Sequence, residues 1–274
     1  MAHAIEVDGS SKFSLQKIDP SDHGKIEKEE AEERLVELGK KFYDLMDLMF
    51  ASGSESLLIV LQGRDTSGKD GLIRDIMGHV NAQSVHAIPF KVPTEDEAAH
   101  DFLWRIHKEV PSKGHTSIFN RSHYEDVLVV RVHGLVPKSV WSERYKQINQ
   151  FEELVQSNGT IIQKFYLHIS KDEQEERLRA READPAKAWK LAVGDWKERE
   201  FWDDYTEAYE DAISKCATKD NPWYVVPANH KWYRSFVVME QLVKALSPFE
   251  DRWQEELKAK REVAMKEIEA FRTK

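Results

Sequence analysis

One stretch, Leu57 to Leu72, constrains the fold of this chain more than any other. Its first five residues, Leu57 to Leu61, are apolar, long enough for a strand buried on both faces and too short for a lone helix. Gly63 to Lys69 then reads G-x-x-x-x-G-K, and helix formers with apolar residues at helical spacing follow at once. A strand, a glycine-bounded loop and a helix in this order are the context of a phosphate-binding loop. The alternative interpretation is a glycine turn with a surface lysine.

The residue types of this loop suit an anion. Gly63 and Gly68 let the backbone curl so that several N–H groups point inward, and the helix adds its positive N-terminal end. Lys69 supplies a full charge for phosphoryl oxygens. The next residue is Asp70, where a nucleoside-triphosphatase loop has the Ser or Thr that holds magnesium. If a metal is needed it must be bound otherwise, and Asp65 is the nearest candidate ligand.

Composition limits the classes of function. At 274 residues the chain is long enough for one large α/β domain with an ample core. A net charge of −9 argues against general nucleic-acid binding, although a basic tunnel can lie inside an acidic shell. The single cysteine, Cys216, excludes an internal disulfide and suits a reducing compartment. No apolar run approaches about 18 residues and no signal core is seen, so we expect a cytoplasmic protein without membrane contact.

Strands and helices alternate along the chain. The apolar runs predict five strands, at residues 57–61, 85–90, 116–119, 160–169 and 223–226. Helical spacing predicts helices at residues 29–49, 141–154, 202–213 and 236–246. Ser170 is expected to cap a very polar helix that carries Arg177 and Arg181, and the charged tail 250–274 is expected to be helical. A capping box at Thr94 and Glu97 predicts a further helix with Phe102, Leu103 and Ile106 on its inner side. The segment 127–132 is ambiguous and, after a site-like loop, favours a helix.

This alternation predicts a parallel sheet flanked by helices, in which ligands bind beyond the carboxyl ends of the strands. The phosphate loop after the first strand and the loop 120–126 after the third should therefore share one cleft. We expect a polar N-terminal arm (1–28), one α/β domain (29–249) and a charged C-terminal helix (250–274).

Several charged side chains are expected at this cleft. Arg121 enters after the third strand, and Glu125 and Asp126 bring carboxylates nearby. Arg177 and Arg181 are four residues apart, so they project from one helix face and suit an acceptor phosphate. A solvated, salt-bridged helix is the alternative for this pair, since several glutamates surround it. Among the aromatic residues, Trp189, Trp196 and Trp202 favour core or lid packing over base stacking, and His123 belongs to no zinc-binding spacing.

Blocks spread over residues 30–245 resemble the polyphosphate kinase 2 family. They include G-R-D-T-S-G-K-D-G (63–71), F-K-V-P-T-E-D-E (90–97), F-N-R-S-H-Y-E-D-V-L (119–128), D-P-A-K-A-W-K (184–190) and W-D-D-Y-T-E-A-Y-E-D (202–211). The more familiar form of the family has D-R-S-x-Y-N-R after the third strand, whereas this chain has Asn120 for that aspartate and Glu125-Asp126 for Asn-Arg. This version resembles the subgroup that acts on both AMP and ADP.

The resemblance implies a P-loop kinase-like, five-stranded parallel sheet with a helical lid over residues 171–215. It implies that inorganic polyphosphate is the donor and that adenine nucleotides (AMP, ADP, ATP) are the acceptors and products; nucleotides with other bases stay open. It also implies Mg²⁺ (or Mn²⁺) as cofactor and a homodimer or homotetramer as the assembly. The implied catalytic residues are Asp65, Lys69, Arg121, Arg177 and Arg181. The implied polyphosphate-binding residues are Gly63, Arg64, Thr66, Ser67, Gly68, Lys69, Asp70, Arg74 and Lys91. The implied nucleotide-binding residues are Asn120, Arg121, Glu125, Arg177, Arg181 and Lys190. The metal ligands would be Asp65 and, as substitute for an aspartate at position 120, Glu125.

A nucleotide phosphate has a second pKa of about 6 and is mostly ionised near neutral pH, so this reaction needs no catalytic base. We therefore expect no essential histidine. Two other functions stay open at this point: an ATP-dependent kinase of a nucleotide or small metabolite, and a polyanion-binding scaffold without turnover.

Overall fold

The computed structural model describes residues 3–273. Within them, a six-stranded sheet is surrounded by helices. The strands are β1 (Ile5–Val7), β2 (Ser56–Gly63), β3 (Val85–Pro89), β4 (Thr116–Asn120), β5 (Thr160–His168) and β6 (Trp223–Pro227). The α-helices are α1 (Lys28–Ser52), α2 (Lys69–Met77), α3 (Glu95–Ala98), α4 (Trp104–His107), α5 (Val129–Val132), α6 (Lys138–Ser157), α7 (Lys171–Glu182), α8 (Val193–Lys197), α9 (Trp202–Cys216), α10 (Lys231–Leu246) and α11 (Glu250–Arg272). Short 3₁₀ helices cover Leu15–Lys17, His123–Val127, Pro185–Lys190, Glu198–Phe201 and Ser247–Phe249.

The strand that carries the phosphate loop lies inside the sheet. The strand order is β1-β6-β5-β2-β4-β3, and β2 pairs in parallel with β5 on one side and β4 on the other. The connections from β2 to β3 and from β4 to β5 therefore run to opposite sides of β2. Such a reversal opens a crevice at the carboxyl ends of the strands, which is where α/β sheets bind ligands.

Every residue of β2 is buried, as the apolar run predicts. Because side chains alternate along a strand, Leu57, Ile59 and Leu61 pack with α1, α2, α10 and α11 on one face. Leu58 and Val60 pack with α6 and α9 on the other. The two helical layers hold β2 rigidly, so the loop that follows it has a fixed base.

The prediction of a five-stranded sheet is wrong: the sheet has six strands, because part of the predicted N-terminal arm pairs with it. Residues Ile5–Val7 form β1, which pairs antiparallel with β6 and makes the sheet six-stranded, and Leu15 is 2% exposed. The strand is three residues long, lies in a polar stretch and gains its hydrogen bonds from a partner more than 200 residues away, so local sequence carries almost no signal of it. It covers an edge of β6 that would otherwise present unpaired backbone groups. The other proposed domain boundaries remain predictions.

The five predicted strands and most predicted helices are present, including α5 and the C-terminal α11. The capping box at Thr94 and Glu97 is formed. The helix behind it, however, is broken into α3 and α4, because the Asp101 carboxylate accepts the Leu103 N–H at 3.0 Å and starts a new turn. Across residues 3–273, no helix is both long and apolar enough to cross a bilayer.

Candidate functional site

The phosphate loop joins the end of β2 to the start of α2. Thr66 and Gly68 lie in the left-handed region, with φ of 64° and 102°. A Cβ on Gly63 would stand 2.7 Å from Ser67 Oγ and 2.9 Å from the Leu167 carbonyl oxygen, so only glycine fits there. The loop thus needs glycine at both ends of its turn, as its sequence predicts.

Lys69 closes over this loop. Its side chain is buried, and its Nζ donates to the carbonyl oxygens of Gly63 at 2.6 Å and Arg64 at 3.1 Å. Burial and the nearby Arg121 lower the pKa of Lys69 to about 8. A phosphate group brought to the loop would offer this ammonium a charged partner in place of neutral carbonyls.

The loop after β4 meets the phosphate loop, as the topology predicts. Arg121 has a φ of 63°, an uncommon conformation for a residue with a side chain. Its Nη2 lies 2.6 Å from Asp65 Oδ1, and its Nη1 lies 3.9 Å from Glu125 Oε2. Burial opposes the guanidinium charge, but Glu125 and Asp65 outweigh it and raise the pKa of Arg121. Burial also raises the pKa of Glu125.

A cavity of about 770 Å³ opens between the phosphate loop, the ends of β3 and β4, and the lid segment, residues 171–215. Most of the predicted binding residues line it: Asp65, Thr66, Gly68, Lys69, Asp70, Lys91, Asn120, Arg121, Arg181 and Lys190. Its other lining residues are Pro89, Phe90, Val92, Trp189 and Asp195. Cations outnumber carboxylates in this lining, although the chain as a whole is acidic. The cavity is therefore suited to a polyanion.

The lid segment is tied to the phosphate loop across this cavity. Lys190 Nζ lies 2.6 Å from Asp70 Oδ2, and the Asn120 amide donates to Asp70 Oδ1 at 2.9 Å. Asp70 stands where a nucleoside-triphosphatase loop has its Ser or Thr, and here its carboxylate connects the loop to β4 and to the lid. The aspartate that departs from the usual loop pattern therefore makes contacts that a Ser or Thr at this position could not make with the same charge.

A smaller, more enclosed cavity lies on the other side of the Asp65–Arg121 pair. Its predicted lining residues are Gly63, Arg64, Asp65, Arg121 and Glu125. Sequence reasoning missed the rest, which come from the lid segment: Gln174, Glu198, Trp202, Tyr205 and Tyr209. The stripe of Trp202, Tyr205 and Tyr209 was visible as an apolar helix face, but nothing local showed that it faces this site rather than the core.

The two lid arginines share a helix face but reach different partners. Arg177 is nearly buried, and it donates to the carbonyl oxygens of Thr66 at 2.9 Å and Ala228 at 2.7 Å. It lines neither cavity. Arg181 lines the large cavity and pairs with Asp195 at 2.5 Å. In this structure Arg177 supports the phosphate loop from behind, and its predicted contact with a nucleotide phosphate remains a prediction.

Four residues predicted to bind polyphosphate lie outside the large cavity: Gly63, Arg64, Ser67 and Arg74. The Arg64 guanidinium stacks 3.7 Å from the centroid of the Trp202 ring and donates to the Trp202 carbonyl oxygen at 2.7 Å. Ser67 is fully buried inside the loop turn. Arg74 is exposed on α2, beyond the first helical turn. Contacts of these residues with polyphosphate remain predictions.

Arg234 on α10 is a site residue that sequence reasoning missed. It is 3% exposed, and it donates to the Gly68 carbonyl oxygen at 3.1 Å and to Asp75 Oδ2 at 2.9 Å. A Cβ on Gly68 would collide with its guanidinium. The available signal was an arginine among the buried apolar residues of α10, because a buried charge requires partners.

A buried polar network lies beneath the second loop. The Glu152 carboxylate accepts hydrogen bonds from Tyr124 at 2.8 Å and Lys164 at 2.7 Å, and it lies 3.0 Å from His123 Nε2. Although burial opposes ionisation, Lys164 and His123 lower the pKa of Glu152 to about 2. His123 is 0% exposed and lines neither cavity, so its position is structural.

Comparisons with known proteins agree with this geometry. A family model described as polyphosphate kinase 2 matches residues 25–254. An AMP/ADP-polyphosphate phosphotransferase from Meiothermus ruber is 48% identical over 246 residues, which cover 89% of this chain and 91% of that protein. An ADP-polyphosphate phosphotransferase from Rhodopseudomonas palustris is 39% identical, with 85% of each chain covered. The crystal structure of polyphosphate kinase 2 from Arthrobacter aurescens TC1 superposes with a TM-score of 0.85 at 40% identity, covering 91% of this chain and 93% of that one.

Proposed function

The chain belongs to the polyphosphate kinase 2 family, and from this premise we propose that it moves the terminal phosphoryl group of inorganic polyphosphate to AMP or ADP, reversibly. The single observation that carries the proposal for this molecule is the cation-rich cavity above the phosphate loop. It is large enough for two anionic substrates to meet, and its cations come from the loop, from two strand ends and from the lid segment. Phosphoryl transfer needs this combination of positioning and charge compensation more than it needs covalent help.

We assign the donor to the phosphate loop. Lys69 exchanges its two carbonyl partners for phosphoryl oxygens of polyphosphate, and Thr66, Gly68, Asp70 and Lys91 lie along the same wall. Charge-assisted hydrogen bonds are about twice as strong as neutral ones, so this exchange favours the loaded loop. In the transition state the Lys69 ammonium then compensates charge on the migrating group.

We assign the acceptor phosphate to Arg121, with Asn120, Arg181 and Lys190 around it. Arg121 keeps its charge at any relevant pH, and its planar fork matches two phosphate oxygens. The attacking oxygen is largely ionised already, since the second pKa of a nucleotide phosphate is about 6. The chain therefore positions this oxygen in line with the donor and removes no proton from it.

The family's chemistry calls for a divalent cation, and we propose Mg²⁺, with Mn²⁺ as a substitute. Residues 3–273 contain no group of three or more His, Cys, Asp or Glu side chains arranged to hold a metal ion. Asp65 and Glu125 nevertheless line one cavity, and Mg²⁺ is commonly bound by one or two carboxylates with substrate phosphates and water. These residues fit such an ion. Bound there, such an ion would neutralise negative charge on the phosphoryl groups.

The proposal extends to features that the fold leaves open. We propose adenine as a substrate base without excluding others, a homodimer or homotetramer, and a cytoplasmic location. An ATP-dependent kinase is the alternative function, and the Asp70 contacts with Lys190 and Asn120 weigh against the usual ATP–magnesium geometry. Light scattering after size-exclusion chromatography would measure the assembly.

Phosphorus NMR tests the function directly. Incubating the protein with ADP, polyphosphate and Mg²⁺ should give ATP resonances, and AMP with polyphosphate should give ADP. Two control mixtures, ATP with a hexose and ATP with a deoxynucleoside monophosphate, should give no product. Product only in the ATP mixtures would support the alternative kinase. Broadened polyphosphate lines without product would indicate a binding protein instead.

A further inference from the structure

Trp189 stands apart from the other tryptophans of the lid segment. Trp196 donates through Nε1 to Glu182 at 2.8 Å, and Trp202 carries the Arg64 guanidinium on its ring. The Trp189 side chain is 78% exposed, and within residues 3–273 its indole nitrogen has no hydrogen-bond partner. Sequence reasoning favoured core or lid packing for all three residues, and the high exposure of Trp189 does not fit that interpretation.

Trp189 is one of the residues that line the large cavity. Trp189 lies in the 3₁₀ helix Pro185–Lys190, and the next residue, Lys190, bonds Asp70 of the phosphate loop at 2.6 Å. The Lys190 ammonium also lies 4.9 Å from the Trp189 ring centroid. The lid contact therefore fixes an aromatic face and a phosphate-binding cation side by side at the cavity wall.

The segment after β3 supplies further apolar surface to the same cavity. Val92, at the end of the segment after β3, is 89% exposed and lines the cavity together with Pro89 and Phe90. These residues and Trp189 give the cavity apolar surface in addition to its cations, such as Lys69, Arg121 and Arg181. Inorganic polyphosphate has no apolar group to cover that surface. A nucleotide has both a planar apolar base and an anionic phosphate.

We propose that Trp189 is the stacking platform for the nucleobase of the acceptor nucleotide, an assignment that rests on the proposed function. The base lies against the indole, with its phosphate directed to Arg121. The side chains of Pro89, Phe90 and Val92 have no hydrogen-bond donor or acceptor, so they contact the face of the base and cannot recognise the polar groups on its edge. Stacking area then ranks the bases, and purine nucleotides bind more tightly than pyrimidine nucleotides.

Two substitutions and a matched control test this proposal. Stacking on an aromatic side chain contributes about 1–3 kcal/mol per base, so Trp189→Ala should raise the KM for AMP by about 5- to 100-fold. Trp189→Phe should restore most of the affinity because a smaller ring still stacks. Val193→Ala is the control, since Val193 is an apolar lid residue that is 72% exposed and does not line the large cavity. Val193→Ala should leave the KM for AMP and the KM for polyphosphate unchanged.

The readouts separate base stacking from other roles of the lid. In Trp189→Ala the KM for polyphosphate should stay within about twofold, and ribose 5-phosphate, a ligand without a base, should inhibit competitively with an unchanged constant. The difference in KM between AMP and CMP should shrink. A higher KM for polyphosphate, equal weakening of AMP and ribose 5-phosphate, or no change would each overturn the proposal. Calorimetric titration of AMP without polyphosphate tests Trp189 even if the wild type shows no phosphoryl transfer, which would overturn the proposed function alone.

Discussion

Arg121 and Asp65 form an ion pair, 2.6 Å between Nη2 and Oδ1, that joins the ends of two neighbouring strands. Arg121 adopts a φ of 63° to make this contact, a conformation that costs about 1–3 kcal/mol when surrounding structure must enforce it. The pair separates the large cavity from the smaller enclosed one, because both residues line both cavities. A proposed acceptor-binding cation and a proposed metal ligand thus contact each other directly.

Lys69→Ala should lower kcat by a factor of about 100 to 1,000, the loss typical of removing one preorganised charge donor. Because Lys69 also donates to the Gly63 and Arg64 carbonyl oxygens, kcat is compared at a temperature where the variant is folded. A coupled assay of ATP formed from ADP and polyphosphate measures the effect. Lys187→Ala is the control, because that lysine pairs with Asp184 in the lid segment and does not line the large cavity. Retention of more than about a tenth of the activity in Lys69→Ala would contradict the assignment of the loop.

The pH profile should fall on its alkaline side through Lys69. Burial lowers the pKa of Lys69 to about 8 in the folded protein, whereas an unfolded lysine keeps its proton to about pH 10.4. The folded state thus loses this proton first: the charge that polyphosphate needs disappears above pH 8, while the contribution of Lys69 to stability rises with pH between the two values. We expect kcat/KM for polyphosphate to decline above pH 8 in the wild type and not in Lys69→Arg. A level profile to about pH 9.5 would show that Lys69 stays charged.

Glu125 and Asp126 are neighbours in sequence but have different surroundings, so a substitution of Asp126 is a matched control for one of Glu125. Glu125 lies near Arg121 and lines the small cavity, whereas Asp126 pairs with Arg144 at 2.9 Å. Glu125→Gln should raise the Mg²⁺ concentration for half-maximal activity by about tenfold, since outer or inner ligand changes cost about 10- to 100-fold in metal affinity. Asp126→Asn should lower the melting temperature and leave the Mg²⁺ requirement unchanged. The reverse pattern in a Mg²⁺ titration would transfer the metal role to Asp126.

His123→Ala should affect stability rather than turnover. His123 is buried against the Glu152 carboxylate at 3.0 Å, and its loss leaves part of a buried charge network unsatisfied, which costs about 1–3 kcal/mol. Thermal unfolding should show a lower melting temperature. At a temperature where the variant is folded, kcat should stay within about threefold of the wild type, since the acceptor needs no general base. If the variant lost turnover while its folding and nucleotide binding stayed intact, His123 would have a catalytic role after all.

Particular residues show what could be predicted from the sequence. The phosphate loop and the cleft that it shares with the loop after β4 could be predicted from the alternation of strands and helices and from the rule that parallel strands end at one edge. The ion pair between Asp65 and Arg121 was not part of that prediction. Strand β1 could not be predicted, because β6, with which it pairs, lies more than 200 residues further along the chain. Helical spacing placed Arg177 and Arg181 on one face, but it carries no information on how α7 crosses the phosphate loop. That crossing turns one arginine to the loop carbonyls and the other to the cavity.

The separation of these two arginines gives the last prediction. Arg177 donates to the Thr66 and Ala228 carbonyl oxygens, so Arg177→Ala leaves buried acceptors unpaired. We expect its melting temperature and its kcat to fall together, kcat by at least about tenfold, because a displaced loop misaligns the donor. Arg181→Ala should lower kcat/KM for the nucleotide by a similar factor with little change in melting temperature, since its side chain faces the cavity and pairs with Asp195. Arg179→Ala is the control from the same helix: Arg179 is exposed and bonded to Glu175, so neither quantity should change. If Arg177→Ala left both the melting temperature and the kinetics unchanged, the result would support the alternative interpretation of α7 as a solvated, salt-bridged helix.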